Sequence, residues 1–294
     1  MRTLPMLAAA AVGVQVGAAI VATRFVIGET TPAALALLRY AIGLACLAPF
    51  ALAGTRPRFA RRDLLPIALL GVGQFGVLIA LLNYGLQFTS SARAALLFAT
   101  MPLATMVLGA AFGHERLSAR SFVGVVLTIA GIGFVLGEKV LTDASRHEWI
   151  GALAVLGSAG TGALCSVLYR PYLRRYPTVP VGAFAMFASV LALALPAGGE
   201  GFFARWPHFS AAGWGAVLFI GASSGIGYFL WLWALRHADP TRVTIFLSLS
   251  PLTAALLGAA VLGERVSGGL LLGLVCIVAG LWIAQRAPAQ AALR

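Results

Sequence analysis

Leu97–Leu136 reads LFATMPLATMVLGAAFGHERLSARSFVGVVLTIAGIGFVL, and Phe246–Ala284 reads FLSLSPLTAALLGAAVLGERVSGGLLLGLVCIVAGLWIA. The two stretches align without a gap at a constant separation of 149 residues. Pro102 falls on Pro251, Gly109 on Gly258, Glu115–Arg116 on Glu264–Arg265 and Ser118 on Ser267. Gly124 falls on Gly273 and Gly131 on Gly280. The same shift carries Arg93 onto Arg242 and Tyr84 onto Trp233. The chain thus reads as two copies of one apolar unit, 1–137 and 138–294. In membrane carriers, such internal symmetry places a binding site between the copies.

Composition agrees with a lipid solvent. Apolar residues make up 60% of the chain and charged residues 10%, against roughly 25% charged in a soluble domain. Mean hydropathy is +0.94. The formal net charge of +12 raises nucleic acid as a partner. The arginines sit between apolar runs rather than on one dense basic face, which argues against it. Cys46, Cys165 and Cys276 all fall within apolar runs and read as free thiols that pack like small apolar residues. The N-terminal apolar run is too long for the core of a signal peptide and reads as a first spanning helix.

A bilayer core takes about 20 apolar residues per helix. Ten runs qualify: Leu4–Thr23, Pro32–Ala53, Leu64–Phe88, Ser91–Phe112, Ala119–Leu136, Trp149–Tyr169, Val179–Pro196, Ala211–Arg236, Pro240–Leu262 and Gly268–Gln285. The expected class is an all-α integral membrane protein. Thr31-Pro32 and Asp239-Pro240 pair an N-cap residue with proline at the first helical position. Ser145 and Glu148 have capping-box spacing, and Ser118 and Ser267 precede matching helices.

Basic residues set the orientation. With the N-terminus inside, the cytoplasmic segments hold fourteen of the 21 Lys and Arg residues, including the Arg56–Arg62 and Arg170–Arg175 clusters. The outer segments hold six, and Arg39 lies inside helix 2. That bias puts both termini in the cytoplasm. Five helices per copy is an odd number, so the second copy enters the bilayer upside down. The copies become inverted repeats related by a pseudo-two-fold axis in the membrane plane.

Val16–Phe50, VGAAIVATRFVIGETTPAALALLRYAIGLACLAPF, resembles the first two helices of the EamA-type drug/metabolite transporter superfamily. So do the two P-L-x(5)-G-A-A-x(3)-E-R-x-S blocks at Pro102–Ser118 and Pro251–Ser267. The resemblance covers essentially the whole chain. It implies ten helices, inverted repeats and export or exchange of small metabolites from the cell (inner) membrane. The sequence as a whole is also similar to bacterial aromatic amino acid exporters of the YddG type. One departure stands out: the family often has Trp-Gly-x-Asn in helix 1, and this chain has Val16-Gly17-Ala18-Ala19.

All nine acidic residues and all four histidines fall at helix ends or in loops. No buried carboxylate stands ready to bind a coupling proton. Polar groups within the runs are uncharged. A glutamine amide in hydrocarbon is costly without a partner, which favours Gln15 and Gln74 as cavity groups. Thr100, Thr161, Ser224 and Ser248 could join them, or simply bond their own helix backbones. Phe75, Tyr84, Tyr228 and Trp231 fall on the same helices and could stack on an aromatic solute or face lipid. The resemblance implies that helices 3, 4, 8 and 9 line the cavity, with 1 and 6 contributing and 5 and 10 peripheral. Trp282 then reads as an interface anchor. Pro102 and Pro251 read as a matched pair of hinges or as structural kinks. Arg39 either snorkels to the outer interface or faces the cavity and holds a carboxylate. The second copy has Ala188 in its place.

Two motif matches lack their context. Gly71–Gly76 spells a dinucleotide fingerprint inside an apolar helix with no strand before it. Gly221–Gly225 spells a nucleophile elbow with no histidine at its depth. Small residues for close helix packing account for both. The Gly124/Thr128/Gly131 and Gly269/Gly273 faces belong to the same class and pack either within the monomer or across a homodimer. The reading is a carrier of small molecules, aromatic or other apolar amino acids first, with no cofactor or metal. Efflux of cationic drugs or another metabolite is the alternative, and an intramembrane serine hydrolase using Ser223 is the rival from another class.

Overall fold

The computed structural model describes residues 3–53, 59–113, 119–141, 146–204, 207–237 and 246–285. Every regular element among them is helical. Helix α1 is Thr3–Val26 and α2 is Pro32–Ala53. Helix α3 begins as Arg61–Gly71, passes through a π-helical stretch at Val72–Val77, and ends as Leu78–Leu86. Helix α4 is broken into Ser91–Phe98 and Met101–Ala111. Helices α5, α6 and α7 are Ala119–Leu141, Arg146–Arg175 and Thr178–Gly199. Helix α8 repeats the pattern of α3: Ala211–Ala222, a π-helical stretch at Ser223–Gly227, then Tyr228–His237. A 3₁₀ turn at Phe246–Ser248 leads into α9, Leu249–Leu262, and α10 is Gly268–Gln285.

Eight helices, α1 to α8, are long and apolar enough to cross a membrane. Leu249–Leu262 and Gly268–Ala284 are shorter apolar helices. The ninth expected run began at Pro240, and 238–245 lie outside the described residues. Large apolar side chains point outward all round the bundle, with Leu195 82%, Leu65 67% and Leu256 64% exposed. Water would not tolerate such a surface, and lipid does.

Glycine lets the helices approach. A Cβ at Gly124 of α5 would strike the Gly280 carbonyl of α10, and one at Gly131 would meet the Gly273 carbonyl. The numbers rise along one helix and fall along the other, so α5 and α10 are antiparallel. The glycine faces left open by the sequence therefore pack on each other within one chain. Gly13 and Gly17 bring α1 onto Phe246 and Ser250, and Gly43 brings α2 onto Gly221–Gly225. Helix α1 packs on α8 and α9, as α6 packs on α3 and α4; α2 meets α7 and α8, as α7 meets α2 and α3. These sets exchange under the 149-residue shift.

Carboxylates tie the helix ends. Glu200 accepts from the backbone N–H groups of Ala33 and Ala34 at 3.1 Å each. Glu264 accepts from Ser91 N at 2.9 Å and Ser91 Oγ at 2.6 Å. Glu29 accepts from Ser210 N at 2.8 Å and Ser210 Oγ at 2.9 Å. Each satisfies N–H groups that a helix start leaves open, with the favourable end of its dipole. Each also joins the first copy to the second at the same end of the bundle. Thr31 was expected to cap α2; the acceptor is Glu200 instead, because the α7 end lies over the α2 start. Ser267 takes its expected place, accepting from Leu270 N at 3.3 Å. Ser118 and Ser145 lie outside the described residues. At the opposite end Asp63 accepts from Arg175 and from the Tyr176 hydroxyl, both at 2.7 Å. The three cysteines are free.

Candidate functional site

The two π-helical stretches occupy the same place in the two copies. Gln74 and Phe75 align with Ser223 and Ser224, and Gly76 with Gly225. A π-helical turn widens the helix and shifts its side chains, and such turns recur at functional sites. Each stretch is braced from a neighbour. Ser158 of α6 donates to the Leu78 carbonyl at 2.7 Å, and Gln15 of α1 donates through Nε2 to the Ser223 carbonyl at 2.8 Å.

Beside the first stretch lies a cavity of about 310 Å³. Its walls come from α1, α2, α3 and α4 of the first copy, and from the start of α9 and the later part of α10 of the second. Most of the lining is apolar: Val16, Ile20, Leu78, Leu82, Phe98 and Leu281 among others. Polar groups reach it from Arg39, Tyr40, Gln74 and Ser250. Phe75 stands edge-on to Tyr40, centroids 5.2 Å apart, and edge-on to Tyr228 at 6.1 Å. The Tyr228 ring itself fits over Gly182, where a Cβ would strike it. Gln74 Oε1 is buried and, among the described residues, accepts no hydrogen bond.

Of the site residues read from sequence, Gln74, Phe75 and the hinge candidate Pro102 line this cavity. Thr100 is buried beside it, its hydroxyl spent on the Leu97 carbonyl at 2.6 Å. Ser224 and Tyr228 lie one layer behind, against Arg39 and Phe75. The structure does not bring the others to the cavity. Gln15 is committed to α8. Tyr84 is 40% exposed and rests on Phe88. Thr161 donates to the Gly157 carbonyl of its own helix at 2.8 Å. Trp231 packs against Ala9 and Ala234. The side chain of Ser248 lies outside the described residues. Pro251 is buried in the start of α9, and its neighbour Ser250 takes the lining position.

Both prolines sit just after irregular backbone rather than inside unbroken helix. The α4 break precedes Pro102, and the 3₁₀ turn precedes Pro251. Proline has no N–H to return to the preceding turn, so the ladder is already open there. Helix 10 was expected to be peripheral, with Trp282 a membrane-interface anchor. The helix is not peripheral to this cavity, and Trp282, 45% exposed, lines it while keeping an outward face. Helix α10 gives its glycine face to α5, and another face of the same helix puts Val278, Leu281 and Trp282 into the cavity wall. Ser250 is one of the polar groups within the ninth run, whereas sequence reading left Tyr40 out. Tyr40 follows the one charge inside an apolar run, which was the available signal.

A model of the EamA-like transporter family matches the chain twice, over residues 3–137 and 149–285. The chain belongs to the EamA-like transporter family. This EamA-like transporter is 24% identical to an uncharacterized transporter of Archaeoglobus fulgidus over 92% of its own length and 94% of the relative's. It is 25% identical to the uncharacterized transporter YoaV of Bacillus subtilis, over 73% and 72%. It is 29% identical to a Streptantibioticus cattleyicolor protein named "probable terminal-alkyne amino-acid exporter", over 86% and 84%. A solved crystal structure superposes on 96% of the transporter and 96% of that chain, with a TM-score of 0.67 at 23% identity, a likeness of fold. The family and its transporter-named relatives point away from an enzyme. Among the described residues, His147 stacks on Phe88, His237 bonds the Trp233 carbonyl and His208 is exposed ahead of the α8 start.

Proposed function

We propose that this multi-pass membrane transporter exports small amphipathic metabolites, aromatic or other apolar amino acids first among them, by alternating access around the cavity beside Gln74. The carrying observation is the cavity itself. It is apolar, large enough for an amino acid, bounded by both copies, and supplied with an unused amide acceptor at Gln74. Phe75, Phe98 and Trp282 offer the apolar wall that an aromatic side chain needs. The named amino-acid exporter among the relatives and the resemblance to YddG-type exporters favour the same solute class.

In this reading 1–137 and 138–294 are inverted repeats, with both termini cytoplasmic in the inner cell membrane. The antiparallel α5–α10 pair supports it, since Gly124–Gly280 becomes Gly131–Gly273 when the copies exchange. Pro102 and Pro251 are the hinge pair, set where the backbone is already open. The carboxylate-tied end then faces outward. Efflux of a cation fits less well, because among the described residues no carboxylate lines the cavity to serve as its counter-charge.

Counterflow into proteoliposomes containing only this protein tests the proposal. Labelled phenylalanine or leucine should exchange against unlabelled amino acid inside, and exchange of lipophilic cations alone would overturn it. Topology is tested with single cysteines at Thr55 and Ala204 in a background lacking Cys46, Cys165 and Cys276. An impermeant maleimide should label Ala204→Cys from outside and spare Thr55→Cys. Labelling of Thr55→Cys from outside would sink the inverted arrangement.

A further inference from the structure

Among the described residues, Arg39 is the one charged side chain in the cavity wall. It lies seven residues past the start of α2 at Pro32, about 10 Å along the axis. A snorkelling arginine would send its head to the helix end. This one is held inward. Its Nε donates to Ser224 Oγ at 2.7 Å, and Ser224 donates in turn to the Ile220 carbonyl at 2.9 Å. The guanidinium carbon lies 5.8 Å from the centroid of the Tyr40 ring. Among the described residues its two terminal nitrogens have no partner, and no carboxylate pairs with it. Glu29, Glu200 and Glu264 are spent on helix starts, and Asp63 on Arg175 and Tyr176.

A guanidinium fixed in an apolar cavity with both terminal nitrogens unused is costly as it stands. Its planar donors match a two-oxygen anion. Nearby in the same wall, Gln74 Oε1 has no donor. A solute carrying a carboxylate and an ammonium would answer both groups at once. The second copy has Ala188 where the first has Arg39, so the site holds one such anchor, and the solute has one orientation.

We propose that Arg39 takes the carboxylate of the transported solute, so that the cavity selects small organic acids and zwitterions over amines that lack a carboxylate. This rests on the transport reading above and narrows it. Ser224 is the positioning residue, fixing the guanidinium through Nε while leaving the terminal nitrogens for the solute.

The test is calorimetric titration of the purified protein with L-phenylalanine, L-leucine, phenylpyruvate, L-phenylalaninamide and phenethylamine. The acids should bind about 10- to 100-fold more tightly than the amide and the amine, the range of a lost charge-assisted hydrogen bond. Arg39→Gln should erase that preference by weakening the acids while leaving the amide nearly unchanged. Arg39→Lys, which keeps the charge and loses the fork, should retain part of it. Ser224→Ala should weaken acid binding several-fold and keep the preference. Equal binding of acid and amide to the natural protein, or an unchanged ratio in Arg39→Gln, overturns the anchor, as does failure of all three acids to bind. The natural protein's ratio and Arg39→Lys decide the matter even if Arg39→Gln does not fold. Arg39-dependent binding of phenylpyruvate without binding of either amino acid keeps the anchor and overturns the amino-acid reading. Amino-acid binding and exchange that ignore Arg39 do the reverse.

Discussion

Gln74–Gly76 and Ser223–Gly225 hold the same position in two copies of one unit, and both lie in π-helical turns, yet they do different work. The first stretch is a surface. Gln74 and Phe75 face the cavity, and Gln74 Oε1 has no hydrogen-bond partner. The second is a brace. The Ser223 carbonyl takes Gln15, and Ser224 holds Arg39. The glycines differ in the same sense. A Cβ at Gly225 would strike the Gly43 carbonyl and Cys46, whereas one at Gly76 would meet the Ser189 hydroxyl at 3.2 Å and the Val72 side chain at 3.7 Å. A duplicated backbone device can thus be divided, one copy exposing side chains to a solute and the other fixing them. The division is set by what packs behind each stretch.

The comparison breaks most readily at the glycines. Gly225→Ala pushes backbone against backbone and should cost about 1–3 kcal/mol of stability. Gly76→Ala should be near neutral, since its neighbours are side chains and alanine favours helix by about 0.5–1 kcal/mol. Thermal unfolding of the two purified variants reads the difference, and equal losses would erase the distinction between surface and brace.

The amides come next. Gln15→Leu strands the buried Ser223 carbonyl and should lower stability by about 1–3 kcal/mol. Gln74→Leu breaks no hydrogen bond through Oε1 and should leave the unfolding temperature within about 1 °C, a shift corresponding to a few tenths of a kcal/mol. In amino-acid titration the order reverses. Gln74→Leu should weaken binding about fivefold, the worth of one hydrogen bond. If Gln15→Leu weakens binding more than Gln74→Leu at equal folded yield, the cavity is misassigned.

The smallest effect sharpens the edge of the site. Trp282→Leu should weaken aromatic solutes a few-fold, in line with about 0.5–1.5 kcal/mol for a ring contact. Phe122→Leu, at a position 63% exposed on the outer face of α5, should leave binding unchanged. Equal effects would return Trp282 to the lipid face.

Much of this was legible in the chain. The 149-residue shift gave the two copies, Val16–Phe50 and the repeated motif carried the resemblance to the family, and the length and apolarity of the runs gave the helices. Gly124, Gly131 and Gly273 announced close packing, because only a bare Cα admits another backbone. Even the two discounted motifs, Gly71–Gly76 and Gly221–Gly225, overlap both π-helical turns. The sequence marked the places without naming the deformation.

What the sequence could not decide was direction. Gln15 and Gln74 are the same amide in similar apolar helices, and composition ranks them equally. Only the placement of α1 against the Ser223 carbonyl commits one and leaves the other free. Trp282 near a helix end reads as an anchor, and only the folded chain shows that it also lines the cavity. The unpaired charge at Arg39 was plain in the sequence. Whether it reached for water or for the interior depended on Ser224, 185 residues away. Local pattern fixes which residues are apolar, small or charged. Which way a side chain faces is set by helices that meet across long stretches of chain, and that only the folded structure decides.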